Sequence, residues 1–130
     1  MIITIKDKSG KEQTTLTTKE ALTDMKVIIL VNEYTASASE ILASALKDNE
    51  RAQLVGTKTF GKGVIQNVYR LSDGSALKLT TSEYFTAGGN KLNEIGITPD
   101  YEVSLPEDAN IYNVKEGQDT QLQKAIELLK

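Results

Sequence analysis

Val27-Ile28-Ile29-Leu30-Val31-Asn32-Glu33-Tyr34-Thr35-Ala36-Ser37-Ala38-Ser39-Glu40-Ile41-Leu42 decides the fold. Its first five residues form an unbroken apolar run, the pattern of a strand covered on both faces as in parallel sheets. From Ala38 the apolar residues recur at Ala38, Ile41, Leu42, Ala45 and Leu46, which is helical spacing, and the stretch closes in Lys47-Asp48-Asn49-Glu50. Strand, tight turn and helix follow directly on one another, with Ser37 at the turn.

Downstream, Ala52 to Val55 reads as a short strand ending at Gly56. Val64 to Leu71 and Ser75 to Phe85, separated by Asp73-Gly74, read as an antiparallel pair. Upstream, Met1 to Ile5 and Gln13 to Leu16 flank the turn Lys8-Ser9-Gly10-Lys11 and predict a β-hairpin. Gly88-Gly89-Asn90 and Gly96-Ile97-Thr98-Pro99-Asp100 mark loops, and Tyr101 to Leu105 is an edge-strand candidate. A last helix is expected from about Asp119, with Leu122, Ala125, Ile126 and Leu129 on one face. These elements predict an α/β domain with a mixed sheet.

The chain has 130 residues, 39% apolar and 25% charged, which suits a single folded domain or part of a larger one. A net charge of -3 with scattered lysines argues against nucleic acid as a partner. No apolar run reaches the roughly 20 residues that span a bilayer, and Met1 to Lys6 lacks the basic start and long apolar core of a signal peptide. The sequence contains no histidine and no cysteine. A Ser-His-Asp triad, a thiol nucleophile and an imidazole or thiolate zinc site are therefore excluded, and lysine is the natural candidate for a base.

Ser37 stands where a nucleophile works best, on a sharp strand-to-helix turn that exposes its hydroxyl beside the helix N-terminal amides. The amide of Ala38 is the obvious local oxyanion donor. The plain alternative is a capping box, since Ser37-x-x-Glu40 has the S-x-x-E pattern in which the two residues satisfy orphan amides. Lys62 lies between Gly61 and Gly63, with Leu54, Val55, Phe60, Val64 and Ile65 as the apolar neighbours expected to surround it. A lysine serves as general base only when its pKa falls from about 10.4 to near neutrality, which apolar surroundings favour. Its flanking glycines let backbones approach closely. Gln66 shares a face with Lys62 in a strand or a helix and can fix the amine by a hydrogen bond. Gly56-Thr57-Lys58-Thr59-Phe60-Gly61-Lys62 also matches seven positions of a phosphate-binding loop. Gly63 then stands where the magnesium-holding serine or threonine belongs, and a strand-like run follows instead of a helix.

Taken together, Val31 to Glu40, Gly56 to Gln66 and Gly96-Ile97-Thr98-Pro99-Asp100 closely resemble the carboxy-terminal processing peptidases, or tail-specific proteases, over most of the chain from about Val27 to about Leu105. The resemblance implies an α/β fold with a mixed-sheet core like the Clp protease and crotonase group. It implies Ser37 as nucleophile, Lys62 as general base, Gln66 as the residue orienting the lysine, and the Ala38 amide in the oxyanion hole. No metal or organic cofactor is implied. Asn32, Ser39 and Glu40 match the motif as supports of the turn and helix, and Asp48 is read as a solvated helix-end residue.

The family usually carries a PDZ domain that binds the substrate's C-terminal tail, and an upstream arginine-asparagine-glycine-glycine strand that completes the oxyanion hole. Neither occurs in this sequence. Residues 1–130 are therefore expected to be a partial peptidase catalytic domain, nearly inactive alone, acting in its parent on protein substrates near their C-termini. Self-association through uncovered surface and an extracytoplasmic site, periplasmic or beyond a bacterial membrane, are further expectations from the resemblance. Two other readings stay open: a catalytically silent peptide-binding or scaffold domain of the same fold, and an acyl-thioester enzyme of the crotonase type.

Overall fold

The computed structural model describes every residue except Leu22, Asn110, Ile111 and Glu116. The elements in chain order are β1 (Ile3–Asp7), β2 (Glu12–Thr15), β3 (Ile28–Val31), α1 (Ala38–Asp48), β4 (Gln53–Gly56), β5 (Val64–Arg70), β6 (Ala76–Thr86), β7 (Tyr101–Glu102) and α2 (Thr120–Leu129). Every predicted element forms. The expected mixed sheet, however, is divided in two: an antiparallel sheet of order β2-β1-β6-β5 and a parallel sheet of order β3-β4-β7. Local turn signals identify strands and hairpins, but they carry no information on which distant strand completes which sheet.

Strand β3, helix α1 and strand β4 form a parallel crossover unit, with Val31 opposite Gly56 at its end. The strand covered on both faces is β4 rather than β3. Leu54 and Val55 are adjacent, point to opposite faces and are both fully buried. On β3 only Val31 is buried while Leu30 is 43% exposed, because β3 lies at the edge of its sheet. The core joins Val31, Ala43, Leu54, Leu92 and Ile97, with Ile29 and Tyr84 packed against it.

Both helices bury only part of the face their apolar residues mark, and bury polar residues beside it. In α1 the buried residues are Glu40, Ala43, Ser44 and Ala45, whereas Leu42 is 61% exposed. In α2 they are Gln121 and Ala125, and Leu122, Ile126 and Leu129 remain exposed. The physical reason differs between them. Helix α1 approaches β4 and β6 closely through small residues and brings Glu40 inside, while α2 is anchored by Gln121, whose side-chain amide donates to the Val103 carbonyl at 2.9 Å. Asp119 caps α2 by accepting the Leu122 N–H at 2.8 Å.

The hairpin tips are closed by aspartates. The Asp7 carboxylate accepts the Ser9 hydroxyl, at 2.6 Å, and the Lys11 N–H, and Asp73 accepts the Ser75 hydroxyl, at 2.7 Å, and the Ser75 N–H. These bonds, led by the serine hydroxyls, hold both carboxyls below the usual aspartate value of 3.8. A lowered folded-state pKa favours the turns above the unfolded value and loses that contribution as pH falls through the folded value. Amide chemical shifts of Ser9 and Ser75 are thus expected to titrate together with Asp7 and Asp73 below pH 3.8, with no change at neutral pH. This uneven burial has its own test by chemical denaturation. Leu54→Ala should cost about 3 kcal/mol by leaving a cavity, and Leu42→Ala no more than about 0.5 kcal/mol.

Candidate functional site

The turn between β3 and α1 is built by Asn32. Its side-chain oxygen accepts the Tyr34 N–H at 3.0 Å, its carbonyl accepts the Thr35 N–H at 2.9 Å, and its own N–H donates to the Thr35 hydroxyl at 3.1 Å. The chain then reaches Ser37 with φ 57 and ψ −119, a backbone conformation that non-glycine residues rarely adopt. The Ser37 carbonyl accepts the Glu40 and Ile41 N–H groups at 3.0 and 3.1 Å and so opens the helix. The expected capping box forms between Ser37 and Glu40, with Ser37 N–H donating to Glu40 Oε2 at 2.9 Å.

Glu40 does more than cap. It is wholly buried, and its carboxylate accepts three further hydrogen bonds from the segment after β4. The Thr59 hydroxyl and the Gly61 N–H donate to Oε1 at 2.6 and 2.7 Å, and the Lys62 N–H donates to Oε2 at 2.9 Å. One oxygen atom thus receives both the Ser37 and the Lys62 amides. Each of the two carboxylate oxygens has two donors, which compensates the cost of burying the group at the N-terminus of α1. A second strut joins the same segments, from Phe60 N–H to the Thr35 carbonyl at 3.0 Å.

The Gly96 to Asp100 loop braces this arrangement from behind. Thr59 N–H donates to the Ile97 carbonyl at 3.1 Å, and Ile97 N–H returns to the Thr59 hydroxyl at 2.8 Å. Asp100 accepts the Leu54 N–H at 2.8 Å and pairs with Lys47 at 3.0 Å, so the loop also clasps β4 and the end of α1. The glycines beside Lys62 are required by close approach, as expected. A Cβ on Gly61, whose φ is +87, would stand 2.8 Å from the Gly96 nitrogen, and one on Gly63 would stand 2.3 Å from the Asn93 nitrogen.

Ser37 and the Lys62 backbone are therefore brought together, while the other expectations divide. The apolar enclosure expected for Lys62 is absent: its side chain is exposed, Phe60 is 66% exposed, and Leu54 and Val55 lie in the sheet core. Inward-facing Thr59, Gly61 and Gly63 alternate with outward-facing Phe60 and Lys62, which sends the lysine away from the core. Gln66 is in β5 and its side-chain amide donates to the Thr80 hydroxyl at 3.4 Å. Lys62 precedes β5, and the register shift opposite Ile65 and Gln66 places an extra residue, Thr81, in β6. Ala38 is exposed at the first turn of α1 and its N–H makes no hydrogen bond among the described residues, leaving it open to a developing oxyanion. Asp48 is not simply solvated, since its carboxylate accepts the Gly88 N–H at 2.7 Å. The phosphate-loop reading loses its anion site, because Glu40 occupies the Gly61 and Lys62 amides and β5 follows.

The sequence offers Thr59 only as one position of the phosphate-loop match, and Glu40 only as a helix cap and support of the turn. The available signal was a glutamate three residues after the serine combined with a threonine three residues before the lysine. Periodicity could not link them.

A strained serine opening a helix, its turn tethered to the backbone of a glycine-flanked lysine, is a strand-to-helix arrangement of the kind that exposes a nucleophile on an α/β core. Residues 1–103 match the sequence pattern of peptidase family S41, and the chain belongs to that family. It is 43% identical over 123 residues to a carboxyl-terminal-processing protease of Synechocystis, covering 95% of this chain and 29% of that protein. It is 48% identical over 92 residues to the chloroplastic carboxyl-terminal-processing peptidase 2 of Arabidopsis thaliana, covering 69% of this chain and 18% of the relative. Among solved structures, a photosystem II D1 C-terminal processing protease superposes with a TM-score of 0.71 at 40% identity, over 81% of this chain and 28% of that one. The tricorn protease superposes with a TM-score of 0.60 at 25% identity, over 80% of this chain and 10% of that one. The expected Clp-like α/β core is the fold these peptidases share with the chain. The chain spans less than a third of the relatives' length.

The tether has a direct test. Glu40→Gln keeps the shape of the side chain but turns an amide toward donors, so a loss of about 3 kcal/mol in denaturant unfolding is expected. Hydrogen exchange at the Gly61 and Lys62 amides should accelerate in the same variant, and exchange in β6 should change only with global stability.

Proposed function

We propose that this chain carries the nucleophile and base of a serine endopeptidase that cleaves proteins near their C-termini. The observation that carries the reading is Glu40 Oε2, which receives the Ser37 and Lys62 amides at 2.9 Å each. In the proposed reaction Ser37 Oγ attacks the scissile carbonyl while the Lys62 amine takes the hydroxyl proton. The Ala38 N–H donates to the oxyanion, and Lys62 returns the proton to the leaving amine as the C–N bond breaks. Water then attacks the acyl-enzyme, giving a proton to Lys62, which passes it to Ser37 Oγ as the ester bond breaks and the free hydroxyl and amine return. Gln66 is assigned the role of orienting the lysine in the assembled enzyme.

The chain is proposed to be part of the catalytic domain of a longer peptidase whose PDZ domain holds the substrate tail. Its short span against its relatives supports that, and so does the free edge of β3 beside half-buried Ile28 and Ile29. A strand added at that edge fits a second oxyanion donor, and without that donor and the tail-binding domain the 130 residues alone are expected to be nearly inactive. The same free edge is where self-association of the isolated chain would begin. An extracytoplasmic location is part of the proposal. The exposed Lys62 side chain is the one observation that favours a catalytically silent scaffold of the same family.

Mass spectrometry of an unfolded protein with an apolar C-terminal tail, incubated with the full polypeptide, separates the two. Cleavage is expected with the unaltered enzyme, and a loss of about 10⁴-fold or more with either Ser37→Ala or Lys62→Ala. Intact substrate across several tails would leave the scaffold reading standing. Cleavage that survives Ser37→Ala would remove the dyad.

A further inference from the structure

Phe60 is a large aromatic side chain left 66% exposed in a segment whose polar groups are otherwise tied down. Its N–H is held by the Thr35 carbonyl at 3.0 Å, two residues before Ser37. On its other side the Gly61 and Lys62 amides are held by Glu40. The backbone that carries Phe60 is thus fixed at three consecutive residues against the nucleophile turn. Tyr34, 65% exposed, precedes the residue that accepts the Phe60 N–H, so two exposed aromatics lie next to the same turn.

Thr59, Gly61 and Gly63 are buried, while Phe60 and Lys62, on either side of Gly61, are exposed. An extended polypeptide presenting an apolar side chain can seat it on Phe60 while its scissile bond lies between Ser37 and Lys62. That contact would also exclude water from the reacting bond.

Resting on the peptidase reading, we propose that Phe60, assisted by Tyr34, determines specificity by receiving an apolar side chain that flanks the scissile bond. Phe60 is a specificity residue in this assignment and takes no part in proton transfer. The substrate class that follows is an extended chain with leucine- or phenylalanine-like residues beside the cut, disfavouring serine or aspartate there.

The test uses the full polypeptide and peptides carrying Leu, Phe, Ser or Asp at each of the two positions flanking the cut. A fluorophosphonate serves as an independent probe of Ser37. Phe60→Ala is expected to lower the Leu-to-Ser ratio of kcat/KM by about 10- to 100-fold, acting on the Leu and Phe peptides, with Phe60→Leu recovering most of it. Covalent labelling of Ser37 should persist in both variants. An equal fall for every peptide, or loss of labelling with a lowered Tm, would overturn the proposal by making Phe60 structural. An unchanged ratio would overturn it too, with the peptidase reading intact. Unaltered enzyme that neither cuts nor labels would defeat the peptidase reading itself, and this one with it.

Discussion

The buried carboxylate of Glu40 is the constraint on which the rest of the site depends. It reaches from the first turn of α1 to a segment 19 to 22 residues away and accepts a hydroxyl and two amides there, besides the Ser37 amide of its own turn. A carboxylate without such donors would be costly to bury, and the amides without the carboxylate would be orphaned. Each side therefore compels the other. The serine turn and the lysine segment are held at one separation because they bind the same atoms.

This tether explains how a strained residue persists. Ser37 lies in a backbone region disfavoured for any side chain, a state that survives only where its surroundings over-determine it. Here the Asn32 turn fixes the residues before it, and its own N–H and carbonyl are both engaged. The Gly96 to Asp100 loop then holds Thr59, which holds Glu40, while Asp100 and Lys47 clasp the loop to β4 and α1. Three stretches of sequence that look like separate motifs are one hydrogen-bonded unit.

The packing shows why the apolar pattern misled in places. In α1 and α2, Leu42, Leu122, Ile126 and Leu129 stay exposed, and the buried positions include alanine, serine and glutamine. Small residues permit helix and sheet to approach, but they give a weak hydrophobic signature compared with leucine. Likewise the most apolar run in the chain became an edge strand, and the strand covered on both faces, at Leu54 and Val55, is the less conspicuous β4.

The sequence by itself determined the order of elements, the turn that carries Ser37 and the close approach required at Gly61 and Gly63. These are set by local periodicity, turn chemistry and sterics. The absence of histidine and cysteine left lysine as the candidate base, and the three motifs identified the family. Tertiary structure alone decided the division into two sheets, the inward faces of the helices and the joining of Ser37 to Lys62 through Glu40. Those depend on where the chain returns through β4 and the Gly96 loop, and no pattern within a single element encodes a bond between elements.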